Sequence, residues 1–184
     1  MLVLTGPSAS GKTEIAKILI EKYNLKKLVT YTTRPPREGE VNGVDYHFVT
    51  VEEFLKLKAN DEFVETTFYN NNYYGSRKAD ISYDKVVILD PSGVNAFREI
   101  LKDRIVIVFL NTPEELRIKR MQLRGDKEEL IEKRIFNDRK TFTQDQYNFV
   151  DYTYQNEIID LNDLAKQIYD KYLEHIETLK NANF

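Results

Sequence analysis

Leu2-Val3-Leu4-Thr5-Gly6-Pro7-Ser8-Ala9-Ser10-Gly11-Lys12-Thr13-Glu14-Ile15 is the stretch from which the rest of the chain is read. Leu2–Thr5 has the composition of a short buried strand, and Glu14–Tyr23 carries Ile15, Ile18, Leu19 and Tyr23 at helical spacing. Between them runs an unbroken GxxxxGK[ST] motif. The glycines let the backbone curl so that its N–H groups surround phosphate oxygens. Lys12 brings a cation to them, and the Thr13 hydroxyl is a Mg²⁺ ligand. The helix that follows points its positive end at the same place. A chance match in a chain of this length has odds on the order of 1%. The residues expected to hold a nucleoside triphosphate are therefore Gly6, Ser8, Ala9, Ser10, Gly11, Lys12 and Thr13.

Outward from this unit the chain alternates strand and helix. Leu28–Thr33 favours a strand and stops at Arg34-Pro35-Pro36. Thr50-Val51-Glu52-Glu53 forms a capping box that opens a short helix, and Thr112-Pro113-Glu114-Glu115 repeats the pattern. Val86–Leu89 and Ile105–Leu110 are continuous apolar runs, as central parallel strands covered on both faces require. A strand is expected over Asp151–Gln155 and a closing amphipathic helix over Leu161–Leu179. The alternation predicts an α/β domain with a parallel sheet.

The whole chain has 184 residues, a net charge of −3 and no cysteine. That length fits one domain, disulfides are excluded, and a cytoplasmic location is the default expectation. No apolar run approaches the ~20 residues of a membrane span. The charge balance argues against a nucleic-acid partner. Charge is nevertheless uneven: residues 117–140 hold nine Lys or Arg against five acids, which suggests an anionic ligand held at one place.

Thr30-Tyr31-Thr32-Thr33-Arg34-Pro35-Pro36-Arg37 and its continuation to Tyr46-His47-Phe48 are dense in polar groups, and two arginines three residues apart suit a second phosphate. Glu65 and Asn72-Tyr73-Tyr74-Gly75-Ser76 add a carboxylate, phenols and a hydroxyl. Taken singly, Tyr46 and Tyr74 read as core-edge aromatics, while Glu65, Arg120 and Arg124 read as solvated surface charges. Phe63, Phe68 and Tyr69 are assigned to packing, and His47 to structure.

Five blocks in order give the chain its resemblance: GPSASGKT, TTRPPREGEVNGVDYHF, the segment Phe63–Ser76, the strand ending in Asp90, and Arg120–Arg134. Over residues 2–156 it resembles the guanylate kinase family of nucleoside-monophosphate kinases. The resemblance implies a P-loop NTPase three-layer sandwich with a five-stranded parallel core. The core would span about 1–32, 82–118 and 139–184, with an acceptor-binding subdomain over about 33–81 and a helical lid over about 119–138. It implies transfer of the γ-phosphate of ATP to GMP and dGMP with Mg²⁺, in a monomer or homodimer. Arg34, Arg37, Tyr46 and Tyr74 would hold the monophosphate. Thr30, Glu65 and Ser76 would read the guanine, whose N1–H and N2–H₂ are adjacent donors to one carboxylate. Lys12 with Arg34, Arg120, Arg124 and Arg134 would carry catalysis, Thr13 and Asp90 the metal, and Asn156 the adenine side.

One departure stands out. The family commonly has Asp-x-Asp, two residues and a glycine, whereas this chain reads Asp90-Pro91-Ser92-Gly93. The second aspartate has no counterpart; Ser92 is the candidate substitute. Two other readings stay open: the same fold phosphorylating another monophosphate or a ribose bisphosphate, and a guanylate-kinase-like module that binds without catalysing.

Overall fold

The computed structural model describes residues 1–143, 150–157 and 160–182. Its centre is a five-stranded, all-parallel sheet in the order β2-β7-β1-β8-β9. The strands are β1 (Leu2–Thr5), β2 (Lys26–Lys27), β7 (Lys85–Ile88), β8 (Val106–Asn111) and β9 (Tyr152–Gln155). Period-two alternation sorts their side chains into two cores. Leu2, Leu4, Val106, Val108 and Leu110 pack with Ile15 and Leu19 of α1 (Lys12–Tyr23) and with Leu164, Ile168 and Tyr172 of α6 (Leu161–Ala182). Met1, Val3, Ile105 and Ile107 face the other way, onto Val94, Phe97 and Leu101 of α3 (Pro91–Leu101). Helices thus cover both faces of the sheet, which is why its central strands are apolar throughout.

A second, four-stranded sheet in the order β4-β3-β6-β5 lies beside the first. It is built from β3 (Tyr31–Thr32), β4 (His47–Phe48), β5 (Phe63–Tyr69) and β6 (Asn72–Arg77). Val64 of β5 joins the α3-side core, which fixes this sheet against the main body. The helix α2 (Val51–Ala59) opens on the expected capping box. Thr50 Oγ1 accepts from the Glu53 N–H (3.1 Å), and Glu53 accepts from the Thr50 N–H (2.8 Å). On the other side, α4 (Glu114–Leu123) and α5 (Glu128–Thr141) pair around Met121, Ile131 and Ile135.

Three expectations need correction. Leu28–Thr33 is not one strand. The Leu28 N–H still bonds to Val86 O (2.9 Å), but the chain then crosses between sheets, and Tyr31 and Thr32 pair with Gly75 and Tyr74. Thr112 does not cap α4, whose N-cap is Pro113 with no side-chain bond. Its hydroxyl is drawn inward instead, to Ser10 O (3.3 Å) and Asn156 O (3.4 Å). Phe68 and Tyr69 do not pack in the core. They stand 60% and 70% exposed at the tip of the β5–β6 hairpin, where Asn70 and Asn71 make the left-handed turn. Phe63 is buried as expected and stacks on Phe54, and His47 stacks on Tyr31.

Candidate active site

The loop from Gly6 to Gly11 emerges from β1, the middle strand of the sheet, and feeds straight into α1. This is the crevice at the carboxyl ends of parallel strands, where α/β sheets hold ligands. Gly11 takes φ +97°. Ala9 also lies at positive φ (+59°), and it packs against the cluster of Ile118, Met121, Ile131 and Ile135 from α4 and α5. A cleft of about 240 Å³ is lined by Ala9, Ser10, Gly11, Lys12, Thr13, Glu14, Arg120 and Arg124.

Inside the loop, Lys12 Nζ donates to Gly6 O (2.7 Å), Pro7 O (2.7 Å) and Ser10 Oγ (3.3 Å). Burial lowers its pKa from the usual lysine range to about 8, with Asp138 opposing that shift and Arg117 adding to it. Arg120 reaches the loop as well, donating to Ala9 O (3.3 Å) and Asn156 O (3.0 Å); burial lowers its pKa. Arg124 and Arg134 converge on one carboxylate, that of Asp126 just beyond α4, and the two pairings hold Asp126 below its usual range. Asn156 is 1% exposed and sits under the loop, where its side-chain amide donates to Ser10 O (2.8 Å). The structure therefore places it as a support of the loop.

On the second sheet, Glu65 and Ser76 are directly paired neighbours on β5 and β6, and Ser76 Oγ donates to Glu65 Oε1 (2.9 Å). Burial raises the Glu65 pKa; the Ser76 hydroxyl opposes this, and the charge of Asp90 adds to it. Tyr74 meets Tyr46 edge to face at 6.1 Å, and the Arg34 guanidinium lies 5.4 Å over the Tyr46 ring. Both oxygens of Glu40 accept from Arg34 Nη2 (2.7 and 2.9 Å), and Glu40 also accepts from the Arg37 N–H (2.7 Å). Arg34 holds the Glu40 carboxyl below its usual range, and the Arg37 backbone contributes to the same effect. The Arg37 side chain is exposed. Thr30, just before β3, and Thr13, in the first turn of α1, border one cavity of about 290 Å³.

The strand expected to end in Asp90 stops at Ile88; Asp90 lies two residues beyond it, just after Leu89, whose N–H bonds to Leu4 O (3.1 Å). It caps α3: its Oδ1 accepts from the Gly93 N–H (2.8 Å) and from Ser92 Oγ (2.9 Å). Asp90-Pro91-Ser92-Gly93 is thus the first turn of a helix, and Ser92 spends its proton on Asp90. Among the described residues no group of three or more His, Cys, Asp or Glu could by itself cage a metal.

Four residues that the structure ties to the loop or to the site arginines were given no role by the sequence: Glu40, Arg117, Asp126 and Asp138. Glu40 and Asp126, each within six residues of the arginine it pairs with, carried a usable signal.

A phosphate-binding loop at the head of a parallel sheet, arginines reaching over it and a second set of polar and charged side chains on the neighbouring sheet define a phosphotransferase that brings two anionic substrates together. The family model for guanylate kinase matches residues 1–177, and the chain belongs to that family. Among its relatives, the guanylate kinase of Anaplasma phagocytophilum (strain HZ) is 38% identical over 145 residues, covering 73% of this chain and 69% of that protein. That of Wolbachia sp. subsp. Brugia malayi (strain TRS) is 36% identical over 160 residues, 82% of each. The crystal structure of guanylate kinase from Anaplasma phagocytophilum superposes with a TM-score of 0.60 at 27% identity, over 92% of this chain and 82% of that one. No helix among the described residues is long and apolar enough to cross a membrane.

Proposed function

We infer that this chain transfers the γ-phosphoryl group of ATP to GMP, and to dGMP, giving ADP and the guanosine diphosphate. The observation that carries the acceptor assignment is the Glu65–Ser76 pair, a half-buried carboxylate whose free edge suits the N1–H and N2–H₂ of guanine. Adenine and the pyrimidines offer no such pair of adjacent donors. A ribose bisphosphate would leave this desolvated carboxylate unmatched, at a cost of about 1–3 kcal/mol.

In this reading the donor triphosphate lies in the loop cleft, with Lys12 exchanging its loop carbonyls for the β- and γ-phosphates. Arg34, Arg37, Tyr46 and Tyr74 take the acceptor phosphate. Glu40 fixes Arg34 through its Nη2 and Pro35 O takes Nη1 (2.8 Å), so Arg34 meets the acceptor phosphate with its remaining N–H donors. The acceptor oxygen is already anionic, so the reaction needs no general base. Catalysis comes from alignment of the two phosphates and neutralisation of charge on the transferring group by Lys12, Arg120, Arg124 and Arg134. Thr13, and Asp90 through its Oδ2, are the residues that would hold Mg²⁺, which when bound draws charge from the β- and γ-oxygens. Residues from about 119 to 138, which hold most of α4 and α5, act as the lid, and residues from about 33 to 81 as the acceptor-binding subdomain.

The test is ADP formation from Mg-ATP with GMP, dGMP, AMP, CMP and UMP offered separately, and Lys12→Ala as control. Turnover on the two guanine nucleotides that vanishes in the variant is the expected outcome. Preference for another monophosphate, or turnover that survives loss of Lys12, refutes the assignment.

A further inference from the structure

The chemistry assigned above uses the cleft side of the loop. Ser8 of the same loop is gripped by two charged residues that no step employs. Asp138, near the end of α5, accepts from the Ser8 N–H (2.9 Å) on Oδ2 and from Ser8 Oγ (3.1 Å) on Oδ1. Arg117, on α4, donates to the same Oδ2 (2.7 Å) and to Ser8 O (3.3 Å). The two side chains are only 10% and 6% exposed. They border a cavity of about 610 Å³ together with Pro7 and Phe109, none of which lines the cleft of Lys12 and Thr13.

A buried ion pair is weak evidence for stability, because desolvation offsets much of its attraction. Its placement here points to a different use. All three polar backbone and side-chain groups of Ser8 are committed to Asp138 and Arg117. The neighbouring Ala9 is held by its methyl group in the α4–α5 core and by Arg120 on its carbonyl. The first half of the loop is therefore docked on the helix pair, not only on the sheet that it leaves. Asp138 also lies four residues, one helical turn, beyond Arg134, so one helix carries both the loop's anchor and a lid arginine.

We propose that Asp138 and Arg117 are positioning residues for the phosphate loop, docking its first half on the bases of the two helices that carry the lid arginines. The proposal rests on the kinase reading for its kinetics but not for its binding readout. Turning Ser8 outward keeps the loop's curl open toward the cleft. Without the pair, Ser8 is free to rotate its N–H and hydroxyl inward, and the cradle for the triphosphate loses its shape. The acceptor pocket on the second sheet has no contact with either residue and should not register the change.

The experiment compares the parent protein with Asp138→Asn and with the double variant Arg117→Leu/Asp138→Leu. The double variant leaves no orphan charge in the interior, so it is the one expected to fold if the single change does not. Each is checked for a cooperative melt, then titrated with a fluorescent ATP analogue and assayed for KM of ATP and of GMP. The double variant should bind the analogue at least tenfold more weakly and show the same rise in KM for ATP, with KM for GMP within twofold of the parent. Asp138→Asn, which keeps one neutral acceptor for Ser8, should fall between. A folded double variant with analogue affinity within twofold of the parent overturns the proposal, as does a parallel rise in both KM values. Failure of the parent to turn over GMP would refute the functional reading while the analogue titration still judges this one.

Discussion

Replacing Gly11 by alanine puts a methyl group where the structure has none to spare. A Cβ built on Gly11 meets the side-chain nitrogen of Asn156 at 2.3 Å, and the backbone sits at φ +97°. Two costs follow. A residue with a side chain pays about 1–2 kcal/mol for that left-handed conformation. Asn156 cannot stay, so its 2.8 Å bond to Ser10 O breaks, leaving a buried amide unsatisfied at about 1–3 kcal/mol. Together these amount to about 2–5 kcal/mol. For a chain of this size the midpoint of that range lowers the melting temperature by roughly 7–14 °C. The assay is thermal unfolding without nucleotide, repeated in an Asn156→Ala background. There the clash is gone and only the backbone strain remains, so Gly11→Ala should cost about 1–2 kcal/mol. A Gly11→Ala protein that melts within 2 °C of the parent, or an equal loss in both backgrounds, refutes the reasoning.

Two further predictions concern the charges of the site. Lys12 is a cation below its pKa, and burial brings that pKa down to about 8, so the cation is present at pH 7 and is progressively lost above pH 8. The kcat/KM for ATP, which reports the free enzyme, should fall about tenfold between pH 7 and pH 9, and a flat profile to pH 9.5 contradicts this. Glu65→Gln removes one charge-assisted acceptor and should lower kcat/KM for GMP by roughly ten- to 150-fold, from about 1.5–3 kcal/mol, with KM for ATP unchanged. A loss below threefold, measured by the same ADP-release assay, would remove Glu65 from base recognition.

The strand–loop–helix unit at the N-terminus was legible because each local signal agreed with the others: apolar strand, glycine-bounded loop, periodic helix. The same holds for Ile105–Leu110, buried along its whole length, whose lack of alternation announced cover on both faces; Val86–Leu89 forms a strand as far as Ile88, but Ile88 is 39% exposed, so there the same signal overstated burial. Leu28–Thr33 misled because β propensity does not say which sheet a residue joins. That segment begins alongside β7 and ends in the second sheet. Thr112 misled for a related reason. A threonine before Pro-Glu-Glu has the form of a cap, but two buried carbonyls, Ser10 O and Asn156 O, compete for its hydroxyl and win. Aromatic character alone did not separate Phe63, in the interior, from Phe68 and Tyr69 at the hairpin tip.

The site divides in the same way. Groups that belong to contiguous motifs could be placed from sequence, whereas partners brought together by folding could not. Glu40 on Arg34 and Asp126 on Arg124 are short-range, and a reader alert to charge pairing could have found them. Ser8 and Asp138 are 130 residues apart, and nothing in the sequence around either one announces the other. Asn156 shows both sides: its position near the donor site was expected, but its role as a buried prop beneath Ser10 and Gly11 needed the packed structure.

The most direct test of the central claim follows the phosphorus atom itself. With ATP labelled in the γ-phosphate and GMP as acceptor, the label should appear in the β-phosphate of GDP, in step with ADP formation and with little free phosphate. Label released mainly as inorganic phosphate, or GDP formed without it, would show that the loop and its arginines serve hydrolysis or binding and not transfer.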